Sequence, residues 1–441
     1  MPAPLAFINS TPDLPREADA VVIGGGIIGS FTAYYLAKRG LKVALIEKGV
    51  VGGEQSSRNW GWCRQQNRDE RELPLATKAL DLWEQFGLES GEETGFRRCG
   101  LFYVSNDAAE IDTWARWGEY ARSIGVKTRM LNSQEATEHG KFTGQVWKGG
   151  VHSQMDGIAD PGLAVPAVAR GLMALGSTVH QACAARGIET TGGAVSAVVT
   201  ECGTIRTPLV IHAGGAWASS FMRQLGVRFP QATVRQSILA VGTGHMSLPD
   251  AFYGDSMSIT RRGDGCHALA YSGRAKVDPT LQFLKYQKQF LPMFKQRWRK
   301  VSPGGLQGLR AGHETLSHWR LDQPTPMEAR RILDPAPDLK TIRLTVERVS
   351  RLIPAVATAP VVASWAGFVD STPDGVPVID EVSSVPGLIL AAGFSGHGFG
   401  IGPGASHLVA DIVTGHEPIV DPRPYRLSRF NRGERVDVSE F

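Results

Sequence analysis

At 441 residues the chain is long enough for two domains with separate cores, and 42% hydrophobic and 20% charged residues describe an ordinary globular protein. A formal net charge of only +4, with acids and bases interspersed, argues against a polyanion-binding surface, so no nucleic-acid partner is expected. Five widely spaced cysteines without a CxxC pair argue against disulfides and structural zinc, and no metal is expected.

Residues 1–19 carry Asp13, Arg16, Glu17 and Asp19 and no long apolar run, unlike a signal peptide. No stretch reaches transmembrane length, and a cytoplasmic location is expected. Residues 20–47 then read as strand, glycine turn, helix, strand and terminal acid. Gly24 supplies the tight turn, Gly26 lets the backbone approach a pyrophosphate, and Gly29 lets the helix pack on the sheet. The helix opens at Ile27 and Ile28, and its N-terminal N–H groups and dipole offset the anion. Glu47, 21 residues after Gly26 and followed by Lys48, accepts hydrogen bonds from ribose hydroxyls and repels a 2′-phosphate. An adenine dinucleotide is expected. This segment alone does not choose between NAD and FAD.

From about Leu88 to Trp147 the glycine-strand pattern gives way to Trp, Tyr, Arg and His, the first piece of a second domain. Asp160-Pro161-Gly162 predicts a helix start, with apolar spacing through Leu163, Val168, Leu172 and Leu175. Thr178–His180, Ala194–Thr200 and Pro208–Ala213 are β-prone runs separated by glycines, suggesting a small meander that returns to the main sheet. The second domain resumes from about Val227 to Val349. Within it, Leu281 to Lys300 combines Lys285, Lys288, Lys295, Arg297, Arg299 and Lys300 with Phe283, Phe290, Phe294 and Trp298. Such a pattern suits an anionic membrane surface, but Pro292 interrupts it and predicts two short helices of the second domain with solvated basic faces, the reading adopted, and no membrane role is assigned. Gly387–Ala392, a glycine loop and an apolar helix through Leu408–Val413 return to the nucleotide domain.

Four segments together resemble the D-amino-acid oxidase, glycine oxidase and sarcosine oxidase family of flavoproteins. They are the unit at 20–47; Ser56-Ser57-Arg58-Asn59-Trp60-Gly61, similar to a Ser-x-Asn-x-Gly loop beside the flavin; Ile211-His212-Ala213-Gly214-Gly215-Ala216-Trp217, similar to the turn closing over the dinucleotide; and a C-terminal signature. That signature runs from Trp365-Ala366-Gly367 through Thr372-Pro373-Asp374-Gly375-x-Pro377 to Gly393-Phe394-Ser395-Gly396-His397-Gly398-Phe399-Gly400. The resemblance implies an α/β protein. A discontinuous Rossmann-like FAD-binding domain takes residues 1–87, 148–226 and 350–441, and an α+β substrate domain on an antiparallel sheet takes residues 88–147 and 227–349. FAD contacts are expected from Ser56, Ser57, Asn59, Trp60, Gly61, Gly214, Gly215, Trp217, Gly393, Gly396, His397, Gly398, Phe399 and Gly400, besides the residues of the first unit. The helix after the last loop aims its positive end at the flavin N1–C2 region, where reduced flavin is negative. Some relatives attach flavin through a cysteine ahead of Thr-Pro-Asp. Gly367 and Phe368 stand there, so noncovalent FAD is expected; Cys63, two residues past Gly61, is the other thiol whose spacing would permit a thioether.

The activity implied is hydride transfer to flavin N5 from a carbon bearing a neutral amine, giving an imine that hydrolyses. Substrates would be small amines or amino acids, including N-alkylated ones, and the electron acceptor oxygen, a quinone or a partner flavoprotein. The alternative is a flavin-binding regulatory subunit of a larger assembly, without its own turnover. Amino-acid-oxidising relatives carry a carboxylate-binding arginine where this chain has Val369, followed by Asp370. Valine holds no carboxylate, and an aspartate attracts an ammonium. Candidates for a displaced clamp are Arg64, Arg261, Arg262 and Arg274. Tyr253, His267, Tyr271 and His397 are candidates for hydrogen bonds or an aromatic wall, and His397, Asp370, Arg64, Tyr253 and Tyr271 form the expected catalytic set.

Overall fold

The computed structural model describes residues 3–244, 246–431 and 437–438. Strand Ala20–Ile23 is Val/Ile-rich and fully buried, as expected of a parallel strand covered on both faces. It lies inside a six-stranded sheet ordered 378–381, 388–392, 210–212, 20–23, 43–46, 178–180. All neighbours are parallel except the edge pair 378–381 and 388–392. Helix Ile27–Lys38 is buried on nearly every side, packed between Ala164–Ala174 and Gly398–Thr414. Phe31 meets Trp83 and Phe86 edge-on in the core on that face. Strands 185–191, 194–200 and 203–206 form the small antiparallel meander.

A ten-stranded sheet carries the second body, ordered 301–303, 275–277, 232–241, 267–271, 257–261, 251–254, 101–105, 149–153, 128–131, with 361–371 also on 232–241. It is antiparallel except for two parallel pairs. Two of its strands, Gly149–Ser153 and Val361–Ser371, come from intervals given to the nucleotide domain on sequence. An apolar run bounded by glycine specifies a strand without specifying which sheet completes its ladder. The long pairing of 232–241 with 361–371 brings the last strand of this sheet to the edge of the Rossmann fold.

Two local expectations are corrected. The helix after Asp160 begins only at Ala164, because the Asp160 carboxylate accepts from Gly162 N (2.7 Å) and Gly263 N (2.6 Å), tying a turn to the second body. Residues Leu281–Arg297 form one helix through Pro292 rather than two. Proline removes the N–H that would bond the Lys288 carbonyl, but both residues are exposed, so water satisfies that group.

Candidate active site

One elongated cavity, partly open to solvent, runs from Glu47 across the glycine turn to the 393–400 loop. The three glycines of the turn play unequal parts. A Cβ on Gly29 would lie 1.9 Å from the Gly24 carbonyl oxygen, and one on Gly24, where φ is +107°, would lie 2.5 Å from that of Ala213. Both are required by the fold. Gly26 has ordinary φ (−77°), and its Cβ would meet only Ser56 Oγ, at 3.3 Å. Nothing in the protein demands glycine there except the emptiness of the cavity it lines.

Ser56 Oγ accepts from Ile27 N (2.9 Å), so that N–H is already used. Among the described residues, the N–H groups of Gly26 and Ile28 have no acceptor, and both residues line the cavity. The Glu47 carboxylate accepts from Gly25 N (2.7 Å) and Gly49 N (2.8 Å), one bond on each oxygen, which leaves a lone pair on each for hydroxyls. Burial raises its pKa, against the pull of Lys48. Lys48 pairs with Glu54 and lies over the Trp217 ring (5.3 Å). Trp217 Nε1 and His212 Nδ1 are buried without partners at the same end of the cavity.

At the other end, Asn59, Trp60, Val369, Gly396, Gly398 and Phe399 form the wall. Ser57, Gly61, Gly393, His397 and Gly400 do not line it. Gly400 instead packs on strand Trp62–Cys63, since a Cβ there would stand 2.7 Å from the Trp62 carbonyl. Gly61 bends the chain at φ +86° against the Ala159 carbonyl. The 393–400 loop delivers the N-terminus of helix Gly398–Thr414 to the cavity.

A family model described as FAD dependent oxidoreductase matches residues 19–412. The chain belongs to the FAD-dependent oxidoreductases. A glycine oxidase of Pseudomonas aeruginosa is 26% identical over 92% of this chain and 97% of its own. Sarcosine oxidase subunit beta of an Arthrobacter species is 25% identical over 98% and 95%. A solved L-amino acid deaminase of Proteus myxofaciens, in complex with anthranilate, superposes with a TM-score of 0.92 at 29% identity, covering 98% of each chain.

The cavity suits the cofactor of an FAD-dependent oxidoreductase. Unpaired amides at Gly26 and Ile28 would suit a pyrophosphate, the free lone pairs of Glu47 a ribose, and the orphaned Trp217 and His212 nitrogens a polar ligand. Cys63 lies outside the cavity wall, fully buried, its thiol pKa raised well above the ordinary value by burial.

The residues expected to do chemistry are scattered. Asp370 is buried, and its carboxylate accepts from Gly393 N (2.8 Å) and Gln231 Nε2 (3.1 Å). These bonds tie the loop to the sheet, and the residue lies on the cavity wall. Tyr253 stacks near Tyr103 (5.5 Å) and donates to Glu110 (3.2 Å), off the cavity wall. Tyr271 lies beneath Arg348 (4.7 Å) and Arg274 (5.6 Å), also outside it. Arg261 pairs with Asp250, and Arg262 with Asp264, while His267 bonds Thr243. His397 is the residue before helix Gly398–Thr414, and its Nδ1 is 2.7 Å from Glu72 Oε2. Burial holds its pKa below the ordinary value, Glu72 pulls upward, and Arg68 and Arg64 push down.

That His397 corner holds the residue missed on sequence. Arg68 is 3% exposed, and its Nε and Nη1 have no hydrogen-bond partner. Its pKa is lowered to about 10, first by burial and next by Arg64, so it stays cationic at neutral pH. Arg64 spends only Nη1, on the Gln66 carbonyl (2.8 Å) and Tyr103 hydroxyl (3.2 Å). Neither guanidinium has an ion-pair partner among the described residues. Nearby Glu72 bonds His397, and Asp156 accepts from Gln65 N and Gln66 N. Neither arginine lines the cavity, but the Cβ position of Gly400 is 3.6 Å from the Arg64 backbone N, which sets this corner against the 393–400 loop.

Proposed function

We propose that the protein oxidises an amino acid or N-alkylated amino acid at its C–N bond, with noncovalently bound FAD, and holds the substrate carboxylate on Arg64 and Arg68. The observation that carries this reading is the buried, unpaired Arg68 guanidinium beside the 393–400 loop. Glu72 and Asp156 offset part of the cost of burying this charge, but neither bonds its Nε or Nη1, and an arriving carboxylate that accepts those two N–H bonds would satisfy them. Asp370 lines the cavity with its carboxylate already bonded to Gly393 N and Gln231, which weakens the argument for an amine lacking a carboxylate. Relatives named as glycine and sarcosine oxidases, and a deaminase holding the aminobenzoate anthranilate, agree with such a substrate.

When bound, FAD supplies the hydride acceptor. The chain contributes orientation and dryness. Arg64 and Arg68 fix one end of the substrate, and Trp60, Val369 and Phe399 give an apolar wall that excludes water and favours the neutral, reactive amine. His397, bonded to Glu72, is a positioning residue that holds the loop. No helix among the described residues is long and apolar enough to cross a membrane, and we place the enzyme in the cytoplasm. Oxygen, a quinone or a partner flavoprotein reoxidises it, which reoxidation rates with each will distinguish.

The test is Arg68→Met. Loss of charge-assisted bonds costs about 1.5–3 kcal/mol, roughly 10- to 150-fold in kcat/KM for amino acids, with amines of the same side chain unaffected. Because an unpaired buried cation is removed, Tm should hold or rise. A lower Tm with unchanged amino-acid kinetics would make Arg68 structural and overturn the assignment.

A further inference from the structure

Helix Leu281–Arg297 buries Gln282, Tyr286 and Phe290 against the second body, yet turns a second apolar stripe to solvent. Leu284, Phe294 and Trp298 are 52%, 52% and 54% exposed, and Leu291 lies between them. At 3.6 residues per turn, these four occupy about a quarter of the circumference. Lys288, Lys295 and Arg299 flank them along one side, with Lys285 and Lys300 close by, all exposed. None of these five cations has an ion-pair partner among the described residues. From residue 279 to 313 the sequence contains no Asp or Glu at all.

We propose that this face of the helix docks the enzyme on an anionic membrane surface. A helix with an apolar stripe and a purely basic border lies in the lipid–water interface, its leucines and aromatics among the acyl chains and its lysines at the headgroups. Exposed Trp beside Lys and Arg suits that boundary. A second copy of this chain is a poor occupant, since a two-fold contact would set the same cations against one another without a counter-charge. An acid-free border fits a surface that is itself uniformly negative.

The test is cosedimentation of the full-length, flavin-loaded protein with vesicles of phosphatidylcholine alone and of phosphatidylcholine with phosphatidylglycerol. Binding is expected only with the anionic lipid, weakening as salt rises. Lys288→Glu with Lys295→Glu should weaken it at least 25-fold, at roughly fivefold per lysine neutralised. Leu284→Glu with Phe294→Glu should abolish it even at low salt. All variants should keep wild-type flavin absorbance and turnover, because these side chains project from the surface. A wild-type protein that stays in the supernatant with anionic vesicles overturns the proposal. So does undiminished binding by the Leu284/Phe294 variant, and so does a dimer in sedimentation velocity that the same substitutions dissolve.

Discussion

Replacing Gly26 by alanine separates what the fold needs from what the cofactor needs. The added Cβ meets nothing in the protein closer than Ser56 Oγ, at 3.3 Å, and the residue sits at an ordinary φ of −77°. The fold therefore loses only the preference for glycine over alanine at a helix N-cap, about 0.5–1 kcal/mol. A pyrophosphate held by the Gly26 and Ile28 amides would be pushed outward by the new methyl. Two charge-assisted bonds at about 1.5–3 kcal/mol each make a loss of about 3–6 kcal/mol, or 10²- to 10⁴-fold in Kd. The assay is FAD titration of apoprotein, with thermal unfolding of the apo forms alongside so that ligand stabilisation does not enter the comparison. Gly26→Ala should unfold within about 2 °C of wild-type apoprotein and purify nearly colourless. Gly29→Ala is the control that should fail to fold stably, its Cβ falling 1.9 Å from the Gly24 oxygen. Tight FAD binding by Gly26→Ala and Gly26→Val would refute the placement of the pyrophosphate.

Burial raises the Glu314 pKa to about 7, so the fold favours its protonated form; this contribution is complete below the unfolded value near 4.5 and lost as pH rises through 7. The loss is about 3 kcal/mol, and urea midpoints at pH 5 and pH 8 should show it in wild type but not in Glu314→Gln. The difference between the two proteins is the readout, because His313, with its pKa depressed to about 4 by burial, changes stability in the opposite sense. Gly393 N and Gln231 Nε2 both bond Asp370 Oδ2, so Asp370→Asn keeps a carbonyl oxygen for both, and Asp370→Ala, which removes it, should cost about 1–3 kcal/mol of stability without singling out cationic substrates. Selective loss of cationic substrates at unchanged stability would return Asp370 to the substrate site. Acid precipitation should leave all yellow colour in the supernatant; colour retained by the pellet would show a covalent bond and point to Cys63.

The dinucleotide end was legible because its chemistry is contiguous. One strand–turn–helix–strand unit sets Gly24, Gly26, Gly29 and Glu47 by local geometry, and the glycine spacing survives any tertiary context. The substrate end was not. Asp370 lines the cavity beside Val369, but its carboxylate is bonded to Gly393 N and Gln231, pairings between distant segments that no sequence spacing announces. Arg68 is followed by Asp69, Glu70 and Glu72, which reads as a solvated charged stretch; only the packing of the 64–72 loop shows that its guanidinium is buried and unpaired. Tyr253 and Tyr271 belong to strands that the sequence places in the second domain, but register decides which strand ends face the cavity, and neither residue lines it. The exposed stripe on Leu281–Arg297 was hidden because helical spacing reveals two apolar faces without telling which one the core takes.

Anaerobic mixing of the flavin-loaded enzyme with a panel of amino acids and N-alkylated amino acids, each paired with the amine lacking its carboxylate, tests the central claim most directly. At least one carboxylated member should bleach the visible flavin band, and its amine counterpart should do so far more slowly. A flavin that dithionite reduces but no member of the panel bleaches would contradict the account and favour a regulatory flavoprotein.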